Sequence, residues 1–440
     1  MKVAVVGTGI SGSLVARRLH AAGHDLEVFE AGARIGGHTA TVDVEVGGRR
    51  VAVDTGFIVF NERTYPTFCA LLRELGVAAA DSNMSFSARI DPAGIEYNGT
   101  SIDALFAQRS NLLRPRFWSM VRGILRFYRE APALIGGAGG IDDPSLTLGA
   151  YLTQAGYSDA FARWHLLPMA AAVWSGGDED VRRFPMRTLV RFFQNHGFLQ
   201  VEGRPQWLTI PGGSRTYLDA LVAPFRERIH TDSPVLRVAR CDAGVDLTAR
   251  RGPGGEAVTE RFDRVVLSCH SDQALALLAE PTRAERDVLG AIRYQPNDVV
   301  LHTDARVMPQ RKRAWAAWNV RVDEGQGQRQ APSDAPVQVT YWMNQLQPLG
   351  EGAPDLFVSL NCTDLIDPAR TLFRATYDHP IFDPAAVMAQ RRFNEIDGVG
   401  GVHYAGAYWR YGFHEDGAWS AHRAVTRLGV ALPNTPVATP

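Results

Sequence analysis

The 440-residue sequence predicts an α/β protein, α+β overall, in which a parallel sheet carries an inserted domain of helices and mixed strands. A strand–turn–helix–strand unit opens the chain, the stretch 63–204 is mostly of helical pattern, and alternating strands return after Gly212. Hydrophobic residues make up 45% and charged residues 21%, as in an ordinary globular protein. A chain of this length is long enough to form two domains with cores of their own.

The opening unit has the features of a nucleotide-binding turn. Lys2–Val6 is a short, apolar, β-branched strand, and three glycines follow it in the spacing Gly-x-Gly-x-x-Gly. The first glycine allows a tight turn, the second lets the backbone approach a pyrophosphate, and the third lets the helix predicted at 13–22 pack on the strand. The helix N-terminus offers N–H groups to phosphates. The residues of this turn are Gly7, Gly9, Ile10, Ser11 and Gly12.

The next elements indicate which dinucleotide is bound. A second strand at 26–29 ends at Glu30, where a carboxylate can accept hydrogen bonds from a ribose. To this point FAD and NAD are equally compatible with the sequence. A second glycine pair then follows in Arg34-Ile-Gly36-Gly37-His38, and Asp54-Thr-Gly56 comes after it. Because these glycines suit a cofactor held along a longer path than NAD needs, the sequence favours FAD.

Composition and charge exclude several classes of function. The net charge of −1 gives no overall field for nucleic acid. Four cysteines lie far apart without metal-ligand spacing, so we expect neither a disulfide framework nor a metal site. No apolar run reaches the roughly 18 residues of a membrane-spanning helix. The chain starts with a strand of the nucleotide-binding unit, so we expect no cleavable signal and a cytoplasmic protein.

Lysine is almost absent, which restricts the chemistry of the site. Of the 46 basic residues only Lys2 and Lys312 are lysines, and neither position suits a buried catalytic amine. The overall preference for arginine is itself typical of a GC-rich genome.

The pieces of the nucleotide-binding domain are predicted at the beginning, middle and end of the chain. We assign 1–62, 205–290 and 396–432 to a Rossmann-like FAD-binding domain, and 63–204 and 291–395 to a substrate domain. Residues 433–440 are predicted to be a disordered tail. Helices are expected at 65–75, 115–128, 147–155 and 158–172, and a last helix is expected from Asp416 or Gly417 to Leu428.

This arrangement resembles the flavin-dependent amine oxidase and phytoene desaturase superfamily over essentially the whole chain. The resemblance depends on the motifs already quoted, on Pro211-Gly-Gly213, and on the stretch from Ala405-Gly406 to Asp416-Gly417. Within the superfamily the sequence is similar to a bacterial subgroup of predicted FAD-binding oxidoreductases found near cyclopropane-fatty-acid-synthase-like proteins. The stretches that carry this likeness are 54–65, 204–207 and 412–417.

The resemblance implies a role for individual residues. The first glycines and Glu30 would hold the ADP half, the second glycine pair the pyrophosphate and ribityl region, and Val235 would offer backbone groups to adenine. The helix that starts at Asp416-Gly417 would face the flavin pyrimidine. The full predicted FAD-binding set is Gly7, Gly9, Ile10, Ser11, Gly12, Glu30, Ala31, Arg34, Gly36, Gly37, His38, Thr55, Gly56, Val235, Gly406, Asp416 and Gly417.

Three positions depart from the family pattern. His38 replaces a common Arg or Lys, and Ala407 replaces an acidic residue, whose ribityl contact would then pass to Glu415 or Asp416. The oxygen-using amine oxidases place a lysine near flavin N5, on a strand that corresponds to 294–298 here, where there is none. This favours a dehydrogenase or isomerase over an amine oxidase that returns electrons to O2.

The catalytic candidates are His414, Glu415 and Tyr408, all close to the last helix. His414 and Glu415 could handle a proton near the flavin ring, because histidine titrates near neutrality. The alternative is a helix cap with a surface histidine. Trp409 and Tyr411 could wall the cavity at the flavin together with Tyr408. Further aromatic residues could line a substrate tunnel, although core packing is the simpler interpretation of each: Trp174, Trp207, Tyr341 and Trp342.

The sequence therefore predicts an FAD-dependent oxidoreductase that dehydrogenates or isomerises an apolar substrate by hydride transfer to flavin N5. A lipid acyl chain is the specific hypothesis, and a partner enzyme of lipid modification is a candidate partner. The alternatives are an amine oxidase acting on a small amine and a non-catalytic protein that binds flavin or lipid. The stretch 111–133, where Arg122, Arg126 and Arg129 form a stripe, is a candidate for peripheral contact with the inner membrane surface. The alternative interpretation is a domain helix with a solvated basic face.

Overall fold

The structure is a computed structural model that describes residues 1–136, 143, 145–200, 203–323 and 336–432. The predicted tail at 433–440 lies outside the described residues. The fold is mixed α/β with two principal sheets, which confirms the predicted fold class.

A five-stranded parallel sheet is formed by segments from three distant parts of the chain. Its strands, in spatial order, are Val402–Tyr404, Arg264–Leu267, Lys2–Val6, Asp25–Phe29 and Ile229–His230. Alternate residues of the first strand point to opposite faces, as the period of a strand requires. Val3 and Val5 pack with the helices Ile10–Ala21 and His414–Arg427. Ala4 and Val6 pack with a three-stranded antiparallel sheet of Val235–Cys241, Gly244–Arg250 and Ala257–Phe262.

A seven-stranded mixed sheet forms the second layer. Its strands, in spatial order, are Thr371–Ile381, Arg293–His302, Phe357–Leu360, Gln338–Trp342, Trp318–Val322, Phe86–Ile90 and Ile95–Asn98. The last two belong to the stretch 63–204, which the sequence pattern predicted to be mostly helical. Phe86–Ile90 pairs in parallel with Trp318–Val322, more than two hundred residues further along the chain. A local pattern of five residues does not show such a distant partner, and strand formation depends strongly on the partner.

Helices fill the rest of the insertion and cover the sheets. Those of the insertion are Pro66–Leu75, Ile102–Leu105, Pro115–Glu130, Ala133–Gly136, Leu148–Gln154, Asp159–Phe161, Leu167–Trp174, Asp178–Arg183 and Met186–Asn195, with a π-helical turn at Ala162–Leu166. The remaining helices are Arg215–Val222, Ser271–Leu277, Arg283–Leu289, Met343–Leu346 and Pro384–Arg391. Two small antiparallel pairs, Thr41–Val46 with Arg49–Asp54 and Ala80–Ser82 with Trp207–Thr209, complete the strands. Among the described residues, no helix combines the length and apolarity needed to cross a membrane.

The last helix begins earlier than the sequence indicated. It runs from His414 to Arg427, so the predicted start at Asp416 or Gly417 is two or three residues too late. The side chain of Asp416 explains the difference, because its carboxylate accepts the backbone N–H of Phe413 at 2.9 Å and caps the helix there. His414, Glu415 and Asp416 therefore lie within its first turn.

Candidate cofactor site

The three glycines of the first turn have different steric reasons to be glycine. Gly7 has a φ of +98°, and a Cβ on Gly12 would lie 1.9 Å from the carbonyl oxygen of Gly7. These two glycines are required by the turn itself. Gly9 has an ordinary φ of −58°, and no heavy atom lies within 4 Å of the position its Cβ would occupy. The backbone of Gly9 thus faces open space, which fits the close approach of a pyrophosphate.

Glu30 ends the second strand and faces the same turn. Its carboxylate accepts the backbone N–H of Thr8 at 3.1 Å, the Thr8 hydroxyl, and the N–H of Gly32 at 3.0 Å. The backbone carbonyl of Glu30 accepts the N–H of Ser233 at 2.8 Å, and a new strand begins at Val235. Glu30, the exposed Ala31 beside it, and the start of that strand are thereby held at the same edge of the sheet.

The second glycine pair lies directly against the first turn. A Cβ on Gly37 would lie 3.4 Å from the Cα of Gly9, and the N–H of Gly36 donates to the Thr8 hydroxyl at 3.0 Å. Both glycines have positive φ, at +108° and +55°. The guanidinium of Arg34 donates to the carbonyls of Ile35, Gly37 and Thr39, so it holds the shape of this loop.

The last helix meets the first helix at their N-termini. The Ser11 hydroxyl donates to the carbonyl of Gly417 at 3.0 Å, and a Cβ on Gly417 would lie 2.7 Å from the Cγ2 of Ile10. Only glycine permits this approach. The N–H of Gly406, just after the last strand, donates to the Ser420 hydroxyl at 3.0 Å. Two helix N-termini side by side present partial positive charge to the same region, which suits an anionic cofactor.

His414 is buried in a small polar cluster. Its Nε2 lies 2.7 Å from the Tyr217 hydroxyl and 3.2 Å from the Thr39 hydroxyl, and these hydroxyls lie 2.6 Å apart. The imidazole stacks on Phe57 at a ring distance of 3.7 Å. Burial lowers the pKa of His414 to about 3, so the ring is neutral at physiological pH.

The two carboxyl groups that follow His414 bind backbone amides. Glu415 accepts the N–H groups of Thr67 at 3.1 Å and Phe68 at 2.9 Å, at the start of the helix Pro66–Leu75. Asp416 accepts the N–H groups of Tyr411 and Phe413. Burial is the main cause that raises the pKa of Glu415 to about 7 and that of Asp416 to about 6. Both side chains thus fix the position of the last helix relative to its neighbours.

A group of imidazole and phenol rings lies where the parallel sheet and the seven-stranded sheet meet. We name it the junction cluster, and it consists of His38, His270, Tyr294, Tyr377 and His379. The ring of His38 lies 5.0 Å from that of Tyr377 and 5.4 Å from that of His379. The Tyr377 hydroxyl lies 3.0 Å from the Thr55 hydroxyl, beside Gly56.

Burial disfavours the charged form of the three histidines of the junction cluster, and one polar atom of the cluster is unused. Burial lowers the pKa of His38 well below its usual value, that of His379 to about 4, and that of His270 as well. Within the part of the chain that the structure describes, Nε2 of His38 is buried without a hydrogen-bond partner. An orphaned nitrogen next to the second glycine pair fits a site that a bound group completes.

Tyr408 lies in the core beneath the parallel sheet, in the hydrophobic cluster against which Tyr294 of the junction cluster also packs. It packs against Trp409 at a ring distance of 4.9 Å, and its hydroxyl has no hydrogen-bond partner among the described residues. Trp174 and Trp207 are buried as well. Tyr411 and Phe413 join aromatic residues of the insertion around a cleft of about 210 Å³, which Arg63, Tyr65, Phe192, His196, Arg410, Glu415 and Asp416 also line.

Sequence reasoning missed several residues of the site. Thr39 and Tyr217, which were not predicted, hold His414. Asp54, which was quoted in a motif but given no role, accepts hydrogen bonds from Thr41, Ser214 and Gln347. The Pro211-Gly-Gly213 motif was the one available signal for Tyr217, which lies on the helix that follows it. His270 and His379 were not predicted, because the contacts that bring them to His38 join distant parts of the chain.

Neither lysine reaches the site. Lys2 pairs with Glu260 at 3.2 Å, and Lys312 pairs with Asp355 at 3.5 Å. In the described part of the chain, no group of three or more His, Cys, Asp and Glu residues could hold a metal ion. The fit to FAD therefore rests on the glycine turns, Glu30, the paired helix N-termini and the orphaned His38 nitrogen. The roles of the individual residues toward FAD stay predictions.

Comparison with known proteins identifies the family. The family model described as flavin containing amine oxidoreductase matches residues 10–429. AofH of Mycobacterium tuberculosis, assigned as a flavin-containing monoamine oxidase, is 28% identical over 263 residues. That match covers 57% of this chain and 54% of AofH, about half of the length of each protein.

Solved structures show the same fold over nearly the whole chain. Cyclohexylamine oxidase from Brevibacterium oxydans superposes with a TM-score of 0.67 at 16% identity, covering 97% of this chain and 98% of the other. A fatty acid isomerase from P. acnes that produces CLA superposes with a TM-score of 0.68 at 15% identity, with the same coverage. At these identities the likeness shows the fold alone. Because the family model spans nearly all of the sequence, the chain belongs to the flavin-containing amine oxidoreductase family, which confirms FAD as the cofactor and a flavin-dependent oxidoreductase as the class.

Proposed function

We propose that this protein dehydrogenates or isomerises an apolar substrate, and that the substrate is a lipid acyl chain. The junction cluster is the observation that carries this proposal. The cluster consists of aromatic rings, and its histidines are neutral at physiological pH. It lies next to the second glycine pair, because His38 directly follows Gly37. Neutral aromatic surroundings accept a hydrocarbon chain without burying an unpaired charge.

The chain's own residues would have three tasks in this reaction. The two glycine turns and the paired helix N-termini bind and orient the cofactor. The aromatic residues of the junction exclude water from the reacting carbon. When bound, FAD supplies the acceptor for the hydride equivalent, at N5 of its ring. The accompanying proton needs an acceptor, and the unpartnered Nε2 of His38 is the candidate, although burial lowers the pKa of this imidazole well below its usual value and so weakens it as a base.

Amine oxidation is the second candidate, and two observations favour it. AofH is assigned as a flavin-containing monoamine oxidase. The cleft beside the last helix has a volume of about 210 Å³ and is lined by Glu415 and Asp416, which could attract an ammonium group. Both carboxylates, however, already accept two backbone N–H groups each. We therefore propose an acyl chain rather than an amine as the substrate.

Anaerobic mixing of the FAD-loaded protein with candidate substrates tests the proposal. Free fatty acids and phospholipids form one arm, and primary amines form the other. The flavin absorbance and the products, identified by mass spectrometry, are both recorded because isomerisation leaves the flavin oxidised at the end. A changed acyl chain supports the proposal, whereas flavin bleaching by amines alone replaces it with amine oxidation. If neither arm gives bleaching or product, the non-catalytic flavin-binding alternative is favoured.

The same question can be asked in cells. Lipids from cells with the gene, without it, and with the Gly9→Val variant would be compared by mass spectrometry. We expect an acyl species that appears only with the wild-type protein. Identical lipid profiles in all three strains would contradict the acyl-chain proposal.

A further inference from the structure

Exposed apolar side chains are concentrated in one part of the helical insertion. Of the ten large apolar residues that are exposed among the described residues, five fall between positions 102 and 125. Leu113 is 88% exposed, Ile102 80% and Leu125 57%. Single exposed apolar residues are common on protein surfaces, but a concentration of this kind marks an interaction site.

The helix Pro115–Glu130 carries most of this surface and separates a buried face from an exposed one. Its inward face contains Phe117, Met120 and Phe127, which are fully buried. Its outward face follows the helical spacing and alternates apolar and cationic side chains. We name this surface, with the turn before the helix, the Trp118 face, and it consists of Leu112, Leu113, Trp118, Arg122, Leu125 and Arg129.

The turn and the helix are joined through the indole of Trp118. Its Nε1 donates to the carbonyl of Leu112 at 2.9 Å, and its ring packs against Phe106 at 5.3 Å. Arg126, which the sequence placed in an arginine stripe, turns away from this surface. Its guanidinium stacks on Tyr157 at 4.3 Å and pairs with Glu130 at 2.9 Å. The structure thus replaces the predicted stripe with a mixed apolar and cationic face.

The charge of this segment is opposite in sign to that of the whole chain. Positions 102–130 contain six arginines and two acidic residues, whereas the complete chain has a net charge of −1. Arg122, at the centre of the Trp118 face, is exposed and has no ion pair or hydrogen bond with any described residue. A surface that is locally cationic and also apolar is complementary to an anionic partner with an apolar interior.

We propose that the Trp118 face docks on the surface of an anionic lipid bilayer. Leu113 and Leu125 stand clear of the protein surface, as side chains that enter the acyl region must. The tryptophan suits the level of the lipid headgroups, and the arginines suit their phosphates. A protein partner would instead need pockets to receive these protruding side chains. The proposal does not depend on which substrate the flavin site takes.

Vesicle binding by the FAD-loaded protein tests the proposal. The probes are vesicles of equal amounts of phosphatidylglycerol and phosphatidylcholine, and vesicles of phosphatidylcholine alone. We expect binding to the first that weakens as salt rises. The double variant Arg122→Gln/Arg129→Gln should bind roughly 30-fold more weakly, and Leu113→Ser/Leu125→Ser roughly tenfold or more.

Met388→Ser is the matched control, because Met388 is an exposed apolar residue far along the sequence from this face. It should bind vesicles as the wild-type protein does, and all variants should retain their FAD content and thermal midpoint. The proposal would be overturned if the wild-type protein did not bind anionic vesicles. It would also be overturned if Met388→Ser lost as much vesicle binding as the variants of the Trp118 face. Self-association that the leucine variants abolish, without vesicle binding, would show instead that the face binds a second copy of the chain.

Discussion

At the residue scale, Gly9 and Gly12 belong to the same turn but differ in what surrounds them. A side chain on Gly12 would collide with the backbone of Gly7, whereas one on Gly9 would enter open space. We therefore expect Gly9→Val to fold normally and to lose FAD on gel filtration. Gly12→Val should lower the thermal midpoint of the protein itself, because overpacking costs about 1–3 kcal/mol or more. Flavin absorbance and circular dichroism measure the two effects separately, and retention of FAD by Gly9→Val would contradict the predicted cofactor path.

Glu415 gives a residue-scale prediction about pH. Its pKa is raised from 4.5 to about 7 in the folded protein, so the unfolded chain releases this proton at lower pH than the folded chain does. The group therefore destabilises the fold progressively as pH rises from about 4.5 to 7. Relative to Glu415→Gln, the wild-type protein should lose roughly 2–3 kcal/mol between pH 5 and pH 8. Thermal midpoints of both proteins at these pH values measure it, and parallel pH profiles would contradict it.

The glycines of the turns could be predicted from the sequence, but the partners of His414 could not. The spacing of Gly7, Gly9 and Gly12 is local, and the steric reasons for Gly7 and Gly12 lie within a few residues or at the end of the adjoining strand. Tyr217 and His414 are 197 positions apart, and their hydrogen bond exists only once two helices have packed. For the same reason the sequence placed His38 next to a cofactor without the other histidines of the junction cluster.

At the element scale, Gly123 controls how closely the helix Pro115–Glu130 approaches its neighbour. A Cβ there would lie 2.5 Å from the Cβ of Phe161, which is close to a backbone and cannot move freely. Alanine favours a helix over glycine by about 1 kcal/mol, but the overpacking cost of about 1–3 kcal/mol should be the larger effect. We expect Gly123→Ala to be less stable by about 1 kcal/mol. Leu125→Ala, on the exposed side of the same helix, is the control, and a more stable Gly123→Ala would refute the close packing.

The bounds of the helices and strands show which elements a local sequence pattern can predict. Helices with a strong apolar period, such as Pro115–Glu130 and Pro66–Leu75, were predicted within two residues of their bounds. The strand Phe86–Ile90 was missed because its partner Trp318–Val322 is remote, and Ile95–Asn98 was missed with it because it pairs only with Phe86–Ile90. The start of the last helix depended on the side chain of Asp416, which a helical period does not reveal.

At the scale of the whole molecule, the absence of a site lysine should affect the reaction with O2. The oxygen-using members of the family place a lysine near flavin N5, and both lysines of this chain form ion pairs elsewhere. We expect the reduced protein to be reoxidised slowly by O2 in stopped-flow measurements. Reoxidation as fast as that of a dedicated oxidase would contradict this and would restore amine oxidation as the leading hypothesis. An artificial electron acceptor should reoxidise the same sample quickly, which serves as the control.

The order of strands in the parallel sheet has a consequence for synthesis of the protein. Val402–Tyr404 and the helix His414–Arg427 are translated about four hundred residues after the first strand and the first helix, yet they pack against them. The cofactor site is therefore completed only after Arg427 has left the ribosome. Until then the glycine turn that follows Val6 has no partner helix, so we expect products that terminate before His414 to lack flavin.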